Sequence, residues 1–310
     1  MNPITGLLAA LAALTAVFVA GWTRAVLAAR REPSAGPRAA TDARFPTPIQ
    51  IGVGAVTNFF DTLGIGSFAT TTAFFRALKL VPDRVIPGTL NAGHTLPTVV
   101  QAFIYTSIIP VDVLTLFSMI GAAVLGAWLG AGVVARWSKY KVQTGMGFAL
   151  IAAALLMVAK QYGWPSPPPG DPAIGVRGVS LLIAIGGNFA LGALMTLGIG
   201  LYAPCMILVS FLGMSERTAF PIMMGSCAFL MPVGSLRFIR ERSYSLRAAL
   251  GLAIGGIPGV LLAAYIFKNL PIRTVRWLVI VVVVYTAVTM LYSAFSEQRT
   301  PSGSALEAEA

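Results

Sequence analysis

Charge is what this sequence has least of. Asp, Glu, Lys and Arg make up 11% of its 310 residues, where a soluble domain carries about 25%. Histidine is scarcer still: His94 stands alone, which excludes a multi-histidine metal centre. The two cysteines, Cys205 and Cys227, lie in apolar runs with no metal-ligand spacing and no disulfide framework. No Walker A pattern occurs, which argues against an ATP-driven pump. Acidic residues number 11 against 22 basic ones, a net charge of +11. In a nucleic-acid binder those cations would cluster among aromatics. Here they fall between apolar segments, so no nucleic acid is expected, and the matching partner is a bilayer with an anionic cytoplasmic leaflet.

Apolar residues are what is present. They make up 56% of the chain, and the mean hydropathy is +0.80. The first apolar run, about 4–29, is long enough to span about 30 Å of hydrocarbon. Its charges follow the run instead of preceding it, so it reads as a retained helix with its N-terminus outside, not as a signal peptide. Further apolar segments fall at about 49–79, 85–107, 112–136 and 142–162. After the proline-rich stretch "GWPSPPPGDPAIGVRG", four more follow at about 180–213, 219–239, 246–267 and 274–295.

The two groups of four have matching plans. "TLGIGSFA" at 62–69 and "TLGIGLYA" at 196–203 agree at six of eight positions, offset by 134. Pro87 and Pro221 keep that offset, and Phe103-Ile104 recurs one residue further out as Phe238-Ile239. This is an internal duplication, a common construction of secondary transporters. A helix over 49–79 would run about 46 Å, well beyond the hydrocarbon thickness even when tilted. Gly64 and Gly66 sit at its middle, so the expectation is a re-entrant hairpin whose tip is buried in protein or lines a wet cavity.

Charge placement supports that expectation. With hairpins at 49–79 and 180–213, sixteen basic residues fall on the cytoplasmic side and only Lys160, Arg177, Arg217, Lys268, Arg273 and Arg276 outside. A single crossing at 49–79 would turn the clusters at 76–84 and 136–141 outward, against the positive-inside bias. Each group then crosses three times, so the second enters the membrane upside down relative to the first. The expected architecture is an all-α polytopic membrane protein. It comprises an N-terminal helix (1–30), a cytoplasmic linker (31–48), repeat 1 (49–162), an extracytoplasmic linker (163–179), inverted repeat 2 (180–295) and a disordered tail (296–310). The expected location is the cell inner membrane, with a cytoplasmic C-terminus, as monomer or homodimer.

A half-helix that starts inside the membrane leaves backbone N–H groups unpaired and partly positive, and glycine lets a ligand approach them. Such a break is an anion site made without a cationic side chain. Around the first break stand Gly64, Gly66, Ser67, Thr70, Thr71 and Thr72; around the second stand Gly198, Gly200, Tyr202, Pro204 and Cys205. The same glycines also suit close helix packing. Asp61, three residues before Gly64, is costly at membrane depth and is a candidate for carrying a proton. Its counterpart in the second repeat is Met195. Asn58, Asn91 and Asn188 are further polar candidates; Asn91 and His94 lie one turn apart. His94 is a candidate anion ligand or proton relay, set against the more common reading of a satisfied interior histidine.

The glycine-rich motif, the two-block plan and the stretch "GALMTLGIGLYAPCMILVSFLGMSERTAFPIMMGSCAF" at 192–229 resemble the sulfite exporter TauE/SafE family, also called the toluene-sulfonate uptake permeases. The resemblance covers about 49–295. The G-x-G-x-x-x-P pattern matches at Gly198, Gly200 and Pro204, whereas Ser67 and Thr70 replace the usual glycine and proline in the first copy. The resemblance implies secondary transport of sulfite, a sulfonate or thiosulfate, with no cofactor and no bound metal. The alternatives are an anion channel and an intramembrane serine hydrolase using Ser67 and His94.

Overall fold

The computed structural model describes residues 2–31, 45–134, 138–162, 172–195 and 200–299. Gly198, residues 32–44 and 163–171 of the two linkers and the tail beyond Arg299 lie outside the described residues. Among those described, the chain is all-helical, with eleven α-helices, two single 3-10 turns and no strand. The helices are α1 (Pro3–Arg31), α2 (Pro48–Thr62), α3 (Ser67–Ala77), α4 (Ile86–Ile108), α5 (Val113–Val134) and α6 (Lys139–Gln161). Then come α7 (Gly178–Met195), α8 (Tyr202–Phe211), α9 (Ala219–Arg240), α10 (Leu246–Lys268) and α11 (Ile272–Arg299). α11 thus carries Ser296–Arg299, the start of the expected tail, as helix.

Six helices, α1, α6, α7, α9, α10 and α11, hold apolar stretches long enough to cross a membrane. Large apolar side chains on several of them face outward, among them Leu155, Leu182 and Val281. These features make a multi-pass membrane protein. α7, with 18 residues and about 27 Å, is long enough to cross alone. α8, with 10 residues, is too short.

Local sequence sets the helix ends. Thr47 caps α2, accepting from Gln50 N–H at 3.3 Å while Gln50 accepts from Thr47 N–H at 2.9 Å. Pro48 fills the first turn, where no N–H is needed. α3 and α8 both end in a left-handed residue, Lys79 (φ 50°) and Gly213 (φ 77°). In both, the next N–H reaches back to close the last turn, Leu80 to Phe75 and Met214 to Val209. A 3-10 turn follows each, Asp83–Val85 and Glu216–Thr218, and leads into α4 and α9.

The helices pair in a crossed pattern. α2 lies along α10, and α7 lies along α5. α4 packs on α9, and α6 on α11. The first two contacts are backbone to backbone. A Cβ at Gly255 of α10 would fall 1.9 Å from Ile51 O of α2, and one at Gly126 of α5 would fall 1.9 Å from Phe189 O of α7. Small residues at such spacing bring membrane helices close enough for dispersion to hold them. An aromatic trio, Tyr105, Phe220 and Phe267, joins α4, α9 and α10, with centroids 4.5–5.4 Å apart.

The bundle has two distinct ends. At one, Trp22 Nε1 donates to Tyr244 Oη at 3.2 Å, Arg247 Nε to Phe45 O at 3.0 Å and Ser245 N–H to Thr89 Oγ1 at 2.8 Å. There α2 begins and α3 finishes, with Val53 and Phe75 in one cluster with Ile86 and Ala248. At the other, Ala173 bridges Met214, so α7 begins where α8 finishes. Arg177 grips Asp112 with both nitrogens, at 2.5 and 2.6 Å. Glu216 meets Arg276 at 3.3 Å.

Gly255→Val should lower the thermal midpoint in detergent by an amount equivalent to about 3 kcal/mol, because the α2 backbone cannot retreat from it. Gly52→Val, which meets nothing within 4 Å, is the control. Equal midpoints for the two would refute the close-contact account. At the other end, the Arg177 guanidinium, helped by Thr115, holds the Asp112 carboxyl well below the usual carboxylate range. A depressed carboxyl stabilises fully above its unfolded value, near 3.8, and loses that contribution as pH falls toward the folded one. The midpoint gap between the parent chain and Asp112→Asn should therefore hold from pH 8 to 5 and close below about pH 4. A gap unchanged at pH 3 would deny the ion pair its role.

Candidate functional site

The first interruption lies between Thr62 and Ser67. Gly64 N–H donates to Asp61 O at 2.8 Å and Ile65 N–H to Phe60 O at 3.1 Å, the Schellman closure of a helix end. That closure requires the left-handed backbone of Gly64 (φ 100°), and Gly66 (φ 87°) then turns the chain into α3. The two turns bring Asp61 of α2 over the N-terminus of α3.

This corrects one expectation. The first amide of α3 is not bare: Ser67 N–H donates to Asp61 Oδ1 at 2.6 Å. The other carboxylate oxygen, Oδ2, accepts from Gln101 Nε2 at 2.9 Å and from the Tyr202 hydroxyl at 3.4 Å. Asp61 is 2% exposed, so this is a buried carboxylate satisfied by donors from three other helices. Gln101 Nε2 further donates to Thr62 Oγ1 at 2.9 Å, and Tyr105 Oη to Thr62 O at 2.9 Å. Gln101 Oε1 is buried without a partner.

Tyr202 is the first residue of α8, so the cradle joins the two interruptions. A Cβ at Gly64 would fall 3.2 Å from Met206 Cε of α8, a second contact between them. Among the described residues, nothing lies within 4 Å of where a Cβ on Gly200 would stand. Cys205 is fully buried and free. Cys227 lies beside the Tyr202 hydroxyl and 3.8 Å from Met195 Sδ.

The remaining candidates stand apart from the cradle. His94 Nε2 is 3.0 Å from Thr71 Oγ1, and Nδ1 is 3.1 Å from Asn58 Oδ1. Asn58 Nδ2 donates to Gly54 O at 2.8 Å, which leaves its Oδ1 to accept. The network therefore assigns the proton to His94 Nδ1, with Nε2 accepting from Thr71. Both nitrogens are committed, as in a satisfied interior histidine, and neither faces Ser67. Thr70 Oγ1 donates to Gly66 O at 3.2 Å and Ser67 O at 2.9 Å, and Thr72 Oγ1 to Phe68 O at 2.8 Å. Asn91 Nδ2 donates to Pro87 O of its own helix. Asn188 Nδ2 donates to Met119 O at 2.6 Å, between α7 and α5.

Sequence reading missed Gln101, Tyr105 and Thr62. The signal for Gln101 was present: it is the lone amide in the apolar run "TVVQAFIY". Among the described residues, no group of three His, Cys, Asp or Glu side chains is arranged to hold a metal ion. No family profile, curated protein or solved structure matches this chain.

Asp61→Leu should lower the thermal midpoint in detergent by an amount equivalent to about 3 kcal/mol or more, since Ser67 N–H, Gln101 and Tyr202 each lose an acceptor at about 1–3 kcal/mol apiece. Asp61→Asn keeps an oxygen for the Ser67 amide and should lose less than half as much. If the two variants melt together, the carboxylate does not hold these helices.

Proposed function

We propose that this chain is a secondary transporter for a small sulfur-containing anion of the sulfite, sulfonate or thiosulfate class, working by alternating access and coupled to protons through Asp61. The observation that carries the reading is the cradle itself. An amide, a side-chain carboxamide and a tyrosine hydroxyl converge on one buried carboxylate where the two interruptions touch. A small oxyanion needs the same donors. A proton on Asp61 removes its charge and weakens its hold on the Ser67 amide, and the arriving anion takes those donors over. Proton and anion then cross together.

The fold expected of such a carrier has inverted repeats meeting near the midplane. Three features support that reading here. The crossed pairing gives α2 the partner α10 and α7 the partner α5, so each broken segment leans on the third segment of the other group. The closures at Lys79 and Gly213 are separated by 134 positions, the offset of the shared octapeptides. The first broken segment opens to the Arg24 end and the second to the Arg177 end, which corresponds to two re-entrant hairpins of opposite sense. The positive-inside bias supports reading the Arg24 end as cytoplasmic and the N-terminus as outside, and we place the chain in the inner membrane as part of the same proposal. The resemblance to the TauE/SafE family supplies the substrate class.

Liposomes containing the purified chain should take up labelled sulfite, thiosulfate or a small sulfonate with saturation, driven by an inward proton gradient. Asp61→Asn should abolish the response to the gradient while keeping counterflow. Gly200→Leu, which adds bulk beside the second interruption, should cut uptake by about tenfold or more. Uptake linear in concentration and without counterflow identifies a channel instead. Unchanged transport in Gly200→Leu places the anion elsewhere.

A further inference from the structure

Outside the central cradle, one cavity carries an unassigned chemistry. It is a groove of about 350 Å³ between α1 and α9, at the Arg24 end of the bundle. Val17 and Gly21 of α1 and Leu236 and Ile239 of α9 make its apolar walls, and Arg24 and Arg240 line it as well. The helices touch closely here: a Cβ at Gly21 would fall 2.6 Å from Leu236 Cδ2. No acidic residue lines the groove. Among the described residues, neither Arg24 nor Arg240 has a hydrogen-bond or ion-pair partner, whereas neighbouring Arg237 is paired with Glu241 at 2.9 Å. Two unneutralised guanidiniums lining one groove leave positive charge there that an anion would balance. The planar fork of arginine suits phosphate oxygens.

The geometry points to a binding site for an anionic phospholipid, with its phosphate between Arg24 and Arg240 and the upper part of one acyl chain along Val17, Gly21 and Leu236. The walls decide the source of the phosphate. A free phosphate ion would use the two guanidiniums and leave the apolar slot empty. A lipid uses both. A second copy of the chain in the same place would bury the two arginines without a counter-charge. The site does not depend on the transport reading, because none of its residues belongs to the cradle.

The test uses the purified full chain in mixed micelles containing phosphatidylglycerol or phosphatidylcholine, with inorganic phosphate as a third arm. Native mass spectrometry reads the retained lipid, and thermal unfolding reads stabilisation. Phosphatidylglycerol should remain on the parent chain and raise its midpoint more than phosphatidylcholine does. In the double variant Arg24→Gln with Arg240→Gln, retention should fall by about tenfold or more. Arg237→Gln, whose partner is Glu241, should retain lipid like the parent. Ala20→Leu, which narrows the groove and keeps both arginines, should also lose retention. Equal retention by the double variant overturns the site. So does an equal loss in Arg237→Gln, a midpoint rise with phosphate matching that with lipid, or a dimer that excludes the lipid.

Discussion

A carboxylate buried in the protein interior has to be satisfied by its neighbours, and the centre of this molecule is organised around that need. Asp61 takes the Ser67 amide on one oxygen, and Gln101 and Tyr202 on the other. Those donors come from α3, α4 and α8, so one charge fixes how four helices meet. Nothing apolar could do this with the same specificity. Dispersion between greasy helices has no preferred register, whereas a carboxylate with named donors has one.

The glycines serve two separate purposes. Gly64 and Gly66 supply left-handed backbone, and without it Asp61 could not turn to face the start of α3. Gly255 and Gly126 supply absence of bulk, and without it α2 and α7 could not lie against α10 and α5. The first purpose builds the cradle and the second builds the frame that holds it. A single residue type thus contributes at two levels, through torsion in one place and through volume in the other.

Much of this frame can be read from the sequence. Composition gives the membrane class, and excess segment length gives the interruption at Gly64 and Gly66, where α2 stops at Thr62 and α3 starts at Ser67. Asp61 also stands out, because a charge in an apolar run is rare. The partners of Asp61 do not stand out. Gln101 lies 40 positions away and Tyr202 lies 141 away, and no local pattern ties them together. Sequence reading also expected the amides at the break to be free. It placed an anion at a helix start without seeing that the chain brings its own. His94 illustrates the same limit from the other side: its rarity drew attention, yet its two nitrogens are committed to Thr71 and Asn58.

The crossed pairing of helices has a consequence for how the protein is made. Ile51 of α2 lies against Gly255 of α10, which leaves the ribosome 204 positions later. At about 5–20 residues per second, α2 waits roughly 10–40 s for that neighbour. During the wait its small-residue face has only lipid or the insertion machinery to lean on. The earlier half of the chain therefore cannot mature ahead of the later half, and the molecule is assembled as one knot of mutual dependence, not as two modules joined end to end.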